Sequence, residues 1–218
     1  SGAGSPYVQL LKQMGAGMAE SGQHVNYVDV APMTAKDPTG SAVTALALPM
    51  IFGGMSSAAI FSMVFKNSRA KQLIGALGVA ILGGLVASSV LYFGFDALEA
   101  NFWPTTGVII LGIAAISTTV LGLNSLLGIA GLGLGAVTML FISNPLSGMA
   151  TGMHWLPSPW GAIGQYLPLG AAGTAIRSSA FFDGAAMGMT NSVIVLLCWI
   201  IAGITLAAAG AWRARRAR

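Results

Sequence analysis

The residue types that catalysis most often uses are few in this chain, and their spacing is unfavourable. The two histidines, His24 and His154, lie far apart and lack the close spacing of zinc ligands. Ser147-Gly148 with His154 contains the residue types of a serine hydrolase. However, Pro145 occupies the position two before the serine, where a nucleophile elbow needs glycine. The sequence therefore predicts no catalytic residue, no metal site, no cofactor and no enzymatic activity.

The chain also has no motif by which it could itself power transport. No glycine-rich loop ending in Lys and Ser or Thr occurs, so we expect no ATP hydrolysis by this chain. The six acidic residues all lie outside the long apolar stretches, which argues against a proton-coupled carrier. The single cysteine, Cys198, excludes an intrachain disulfide.

The basic residues are grouped in a way that indicates membrane topology. Seven of the ten lie in two clusters without an acid: Lys66, Arg69 and Lys71, and then Arg213, Arg215, Arg216 and Arg218. Only 7% of residues are charged, and apolar stretches border both clusters. The positive-inside rule places both in the cytoplasm, where anionic lipids are the expected counter-charge. With a net charge of only +4, we expect no nucleic-acid partner.

Five apolar stretches approach the roughly 20 residues that a helix needs to cross a bilayer. They predict an all-α, polytopic transmembrane bundle. We expect a kink at Pro49 and a turn at Asn124-Ser125, between the third and fourth spans. The predicted spans are about 42–65, 73–95, 106–123, 126–143 and 191–212.

Residues 1–41 are the only part of the chain with a soluble-looking composition. Because an even number of spans separates the two basic clusters, we expect residues 1–41 to lie outside, as a remnant of an extracellular domain followed by a linker. Apolar spacing predicts an amphipathic helix over 7–20, and alternation predicts a short strand over 24–30. The chain opens without methionine or a signal peptide. We interpret it as the C-terminal part of a longer protein, whose upstream span would export residues 1–41.

Residues 144–190 are apolar but interrupted by prolines at 145, 157, 159 and 168. No uninterrupted helix of about 20 residues fits there. Counting this region as a crossing would also place the two basic clusters on opposite sides. The sequence therefore predicts an external segment that dips into the membrane and returns, which needs a covering of protein or water.

The same region carries an ordered series of short motifs: Asn144-Pro-Leu-Ser-Gly148, Leu156-Pro-Ser-Pro-Trp160-Gly, Gly164-Gln-Tyr-Leu-Pro168, Gly170-Ala-Ala-Gly173, Arg177-Ser-Ser and Phe181-Phe-Asp-Gly184. The series resembles the C-terminal membrane region of bacterial phage-infection-protein-like membrane proteins, within the type-2 ABC exporter permease superfamily. The resemblance extends upstream to Val28-Asp-Val-Ala-Pro32 and covers nearly the whole chain.

The resemblance implies a six-helix permease fold, with one helix and most of an external domain preceding this chain. It implies that the cytoplasmic loop with Lys66, Arg69 and Lys71 meets a separate ATPase subunit. The alternative is that these bases only determine topology.

Arg177 is the one base in the apolar external region, near the exit gate that the resemblance implies. We expect a gate ion pair with Asp183 or Asp96, or, alternatively, an arginine that extends to lipid phosphates. Trp160 and Tyr166 are candidate gate residues or, alternatively, interface anchors.

The functional hypothesis is the permease subunit of an ABC-type exporter in the bacterial cytoplasmic membrane. Its N-terminal segment would be external and its C-terminus cytoplasmic, and it would work as a homo- or heterodimer with an ATPase. Uncharged spans favour an amphipathic or lipid-like cargo. The alternative is a membrane anchor or receptor, or an envelope-assembly scaffold, that transports nothing.

Overall fold

The computed structural model describes residues 6–26, 36–37, 41–96, 102–182, 184 and 188–216. Every regular element within these ranges is helical. The α-helices are α1 Pro6–Glu20, α2 Ser41–Ala45, α3 Ala47–Val64, α4 Arg69–Ser89, α5 Phe102–Leu127, α6 Ile129–Ala136, α7 Asn144–Leu146, α8 Trp160–Gly164, α9 Pro168–Phe181 and α10 Met189–Arg216. The π-helical segments Val90–Gly94 and Val137–Ser143 extend α4 and α6, and Met153–Trp155 is a 3₁₀ turn.

The predicted amphipathic helix is present as α1, one residue longer at its start than expected. Four of its large apolar side chains are exposed. The predicted strand over 24–30 is not seen at residues 24–26, which are irregular, and the remainder lies outside the described residues.

Five helical segments are long and apolar enough to cross a membrane: Ser41–Val64, Arg69–Gly94, Phe102–Leu127, Ile129–Leu146 and Met189–Ala214. They agree with the five predicted stretches, and the protein is a multi-pass helical membrane protein. The first of them is broken at Leu46, between α2 and α3. Pro49 explains the break because it has no N–H to donate to the carbonyl of Ala45.

Two predicted boundaries were misplaced. The second span begins at Arg69, where the Ser68 hydroxyl caps the helix by accepting from the Lys71 amide at 3.4 Å. The turn expected at Asn124-Ser125 was wrong, because α5 continues to Leu127 and ends at Gly128. Gly128 has a φ of 63°, which glycine adopts without strain.

The third span, α5, is the core of the bundle, and most of its residues are buried. The other spans pack around it through glycines that let backbones approach closely. A Cβ on Gly203 would lie 2.6 Å from the Thr118 oxygen, and one on Gly210 would lie 2.4 Å from the Ser125 oxygen. Helix α10 therefore runs parallel to α5, with its C-terminus beside the end of α5.

The remaining contacts fix the direction of the other spans. A Cβ on Gly54 would touch Ile116, and the Met50 side chain contacts Gly112, so α3 also runs parallel to α5. In α4, Gly84 faces Ile110 of α5, and α4 runs antiparallel to α5. The loop between α3 and α4 and the C-terminus of α10 therefore lie at the same end of the bundle, which we call the basic end.

Helix α9 packs along the first half of α5, at the opposite end of the bundle. A Cβ on Gly112 would lie 3.0 Å from the Ala172 Cβ. Nearer the start of α5, the hydroxyls of Thr105 and Ser179 are 2.9 Å apart. Helix α9 thus begins beside the middle of α5 and ends beside its first turn. Its 14 residues cover about 21 Å, too few for a bilayer core of about 30 Å.

Candidate functional site

The loop at the basic end has a defined shape, set by Gln72. This side chain is almost fully buried, at 1% exposure. Its amide donates to the Phe65 carbonyl at 2.8 Å, where α3 ends, and its oxygen accepts from Arg69 Nη1 at 2.9 Å. Because the carbonyls in the last turn of a helix have no partner within it, this bond both satisfies Phe65 and ties α3 to α4.

The predicted coupling residues lie together at the basic end, but in different positions: Lys66 is in the loop, whereas Arg69 and Lys71 belong to the first turn of α4. Arg69 is half-buried against Gln72, whereas Lys66 and Lys71 are exposed. Lys71 Nζ lies 6.0 Å from the centre of the Phe65 ring, at the limit of a cation–π contact. A shallow groove of about 450 Å³ runs beside them, lined by Met63 and Val64 among others. The loop thus offers two free ammonium groups beside apolar surface.

The second basic cluster is at the end of α10. The Arg216 guanidinium stacks on the Trp212 ring at 3.7 Å, and the Arg213 side chain is exposed. This pairing suits a membrane interface, where a tryptophan and an arginine can share the headgroup region. The side chain of Arg215 and all of Arg218 lie outside the described residues.

At the opposite end, Arg177 points into the broken segment between α6 and α9, rather than toward a described carboxylate. Its guanidinium donates to the carbonyl oxygens of Gly148, at 3.0 Å, and Met149. Burial lowers the pKa of Arg177 from its ordinary value because the charged form loses solvation. An arginine remains a cation at neutral pH, so two backbone dipoles stabilise an internal positive charge.

Of the two carboxylates predicted to pair with Arg177, the structure describes only one. Asp96 forms an ion pair with Lys36 at 2.6 Å, before the first span. Asp183 lies outside the described residues. The predicted pair between Arg177 and Asp96 is therefore replaced by a pair that links Lys36 to the end of the second span opposite the basic end.

Trp160 and Tyr166, the other two predicted gate residues, present their rings outward. Trp160 begins α8 and is 52% exposed, and the Tyr166 side chain is 71% exposed. The Tyr166 backbone instead has a structural contact, because its carbonyl accepts from Trp199 Nε1 at 2.8 Å. Because Trp199 lies within the last span, this bond holds the backbone at Tyr166, just before α9, against α10.

Sequence analysis missed a group of polar side chains that hold the broken segment together. Ser143 Oγ accepts from the Leu169 amide at 3.2 Å and so caps the first turn of α9. Thr174 donates to the Gln165 side-chain oxygen. From the first span, Thr44 Oγ1 donates to the Met149 carbonyl at 3.0 Å. A hydroxyl or amide in an otherwise apolar helix was the available signal, but its partner lies far away in sequence.

The glycines of the motif series allow backbones to touch. A Cβ on Gly164 would lie 1.8 Å from the Leu146 carbonyl oxygen, and one on Gly170 would lie 2.1 Å from the Gly164 oxygen. Such distances exclude any side chain without a shift of the backbone. The spacing of these motifs therefore serves the packing of a compact, irregular plug, which we define as residues 144–181.

Within the described ranges, no group of three histidine, cysteine or acidic side chains is placed to hold a metal ion. No family model matches the chain, and no curated protein or solved structure is significantly similar to it. The resemblance to the type-2 exporter permeases thus depends on the motif series alone.

Proposed function

We propose that this chain is the C-terminal part of an exporter-type permease that a separate ATPase drives from the basic end. The observation that carries the proposal is the asymmetry of the bundle. One end presents both basic clusters and a short, clamped loop with two exposed lysines. The other end holds an irregular plug that reaches the middle of the core helix.

The basic end supports the proposal because its loop suits a docking contact. The hydrogen bonds of Gln72 fix the backbone of the loop, so binding of a partner would cost little conformational entropy in the loop. Lys66 and Lys71 would pair with acidic side chains of the ATPase, beside the groove that Met63 and Val64 help to line. The positive-inside rule assigns this end to the cytoplasm, where ATP is available.

The plug supports an exit route on the external side. Two π-helical segments lie at this end of the bundle: Val90–Gly94 extends α4, and Val137–Ser143 leads directly into the plug. Such turns often accompany functional sites. An apolar groove of about 540 Å³ lies on the first of them, between Val86 and Phe93. Its lining comes only from α4 and the π-helical extension of α4, so bilayer acyl chains would contact it. The lipid-like cargo is proposed from the uncharged spans.

The test is purification of the full-length protein from its native membrane in mild detergent, followed by identification of a co-purifying ATPase. Two variants reverse the same number of charges at the same end: Lys66→Glu with Lys71→Glu, and Arg213→Glu with Arg216→Glu. We expect the loop variant to lose the ATPase and the helix-end variant to keep it. Retention by both, or loss from both, would contradict the proposed contact.

The second candidate is a membrane anchor or receptor that transports nothing. The contacts of Arg177 favour this candidate. Both described hydrogen bonds of Arg177 go to backbone carbonyls, as expected of a purely structural role. This candidate predicts an ATPase-free preparation and insensitivity of function to charge reversal in the loop, provided that topology is kept.

A further inference from the structure

The Met149 carbonyl is a meeting point of two elements that are distant in sequence. It accepts from Thr44 Oγ1 of α2 at 3.0 Å and from the guanidinium of Arg177 on α9. The neighbouring Gly148 carbonyl accepts from the same guanidinium at 3.0 Å. One turn of the plug is therefore bonded both to α2, the short helix that begins the first span, and to α9.

The turn at Met149 is packed tightly against α9. Met149 is 3% exposed, and a Cβ on Gly173 would lie 2.6 Å from its Cγ. The side chain therefore fills the space that the missing Cβ of α9 leaves. Because a closely packed interior transmits displacement, movement of Met149 must move α9 or open a void.

Helix α2 is held from its outer side by charged groups. The Asp37 carboxylate accepts from the amides of Ser41 and Ala42, at 2.8 and 2.9 Å, and so caps the helix. Asp37 is itself 4% exposed. Next to it, Lys36 is paired with Asp96 at 2.6 Å. Helix α2 is thus fastened to the part of the chain that precedes the membrane.

Helix α2 is also separated from the span that follows it. The α-helical bonding stops at Leu46, whose amide bonds to Val43 at 3.3 Å, and α3 starts at Ala47. Pro49 has no N–H with which to bridge the break. Bending at a proline break needs no loss of a helical hydrogen bond, so α2 can tilt while α3 stays packed on the core helix.

We propose that α2 is a hinged lever, which passes displacement of Lys36 and Asp37 through Thr44 to the Met149 carbonyl and on to Arg177 and α9. This inference goes beyond the proposed function, because it concerns how an external segment moves the plug, whatever the plug does. Thr44 is the positioning residue, because it bonds to the Met149 carbonyl, and Asp37 is the residue through which displacement enters α2.

The lever is tested by amide hydrogen exchange of the full chain in lipid nanodiscs. The exchange rate is measured at residues 147–153. Thr44→Val keeps the side-chain shape and removes the bond, and we expect about fivefold faster exchange, the effect of losing one hydrogen bond. Thr44→Ser should restore the wild-type rate. Thr138→Val is the matched control, because the Thr138 hydroxyl is exposed and bonds only within its own helix, to Leu134 at 2.9 Å. It should leave residues 147–153 unchanged.

The decisive comparison adds Asp37→Ala, which removes the cap of α2 and leaves the sequence of the plug unchanged. A lever predicts faster exchange at 147–153 in this variant, and no further increase when Thr44→Val is added. Unchanged exchange in Asp37→Ala would overturn the proposal. So would a double variant whose rate is the product of the two single effects, about twenty-five-fold.

Folding is checked in the same experiment from the amides of the core helix. If Asp37→Ala does not fold, Ser41→Ala takes its place, since it removes only the 3.0 Å hydroxyl bond to Asp37 from an exposed position. The lever then predicts about twofold faster exchange at 147–153. No change in that variant would likewise contradict it.

Discussion

The two ends of the bundle treat positive charge in opposite ways. At the basic end, Lys66 and Lys71 are exposed and the chain turns between two spans in a few residues, held by one buried amide. At the other end, Arg177 is turned inward onto backbone carbonyls, and the plug is built from short helices with irregular connections. The difference shows that a base can be either a topological signal or an internal fastener, depending on where backbone acceptors are available.

The largest expected effect is on glycine packing in the plug. Gly164→Ala places a Cβ against the Leu146 carbonyl, a backbone group that cannot rotate away. We expect destabilisation of about 3 kcal/mol, measured as a lower midpoint of thermal unfolding in detergent. Gly78→Ala is the control, because no atom lies within 4 Å of that Cβ, and it should be neutral or slightly stabilising. Equal behaviour of the two variants would contradict the tight packing of the plug.

The next effect compares the two kinds of base directly. Arg177→Ala removes two charge-assisted hydrogen bonds, and we expect a loss of about 2 kcal/mol. The two acceptors keep their other donors, which are the Gly152 amide on the Gly148 carbonyl and the Thr44 hydroxyl on the Met149 carbonyl. Lys71→Ala removes an exposed base and should change stability by less than about 0.5 kcal/mol. Unfolding of the two variants in denaturant provides the measurement. If Lys71→Ala costs as much as Arg177→Ala, the proposed contrast between the ends is wrong.

A smaller effect is expected at the loop clamp. Gln72→Glu keeps an acceptor for Arg69 but loses the amide donor to the Phe65 carbonyl. We expect a cost of about 1 kcal/mol and faster proteolytic cleavage of the loop at Lys66. Gln72→Leu, which removes both bonds, should be cleaved faster still. A cleavage rate that is the same in all three proteins would mean that Gln72 does not shape the loop.

The smallest effect is expected for the ion pair between Lys36 and Asp96. Both side chains are about half exposed, so water and salt screen the attraction. Lys36→Ala should lower stability by at most about 0.5 kcal/mol, with the difference decreasing as salt is raised. A salt-independent loss would indicate that the pair is shielded from solvent.

Much of the fold could be predicted from the sequence, because long apolar stretches have few alternatives in a bilayer. All five long helices were predicted, and Pro49 marked the break in the first. The turn between the third and fourth spans was misplaced, because the polar Ser125 side chain is satisfied across the bundle and does not require a turn. The Ser125 hydroxyl donates to Ala207, a contact that local sequence does not reveal.

The candidate site was less predictable, for a related reason. Lys66, Arg69 and Lys71 lie together at one end of the bundle, and their role in coupling stays a prediction. The partners of Arg177 are backbone carbonyls, which every residue carries and no motif marks. Thr44 and Gln72 acquire their importance from contacts that only the packed bundle brings together.

The most direct test of the account is the sidedness of the two ends. Single-cysteine variants Asn67→Cys, Ala214→Cys and Ser158→Cys, each with Cys198→Ser, are treated in intact cells with a membrane-impermeant maleimide. All three native positions are exposed. The account predicts labelling of the Ser158→Cys protein from outside, and of the other two only after the membrane is permeabilised. Labelling of all three from one side, or of Asn67→Cys and Ala214→Cys from opposite sides, would contradict it.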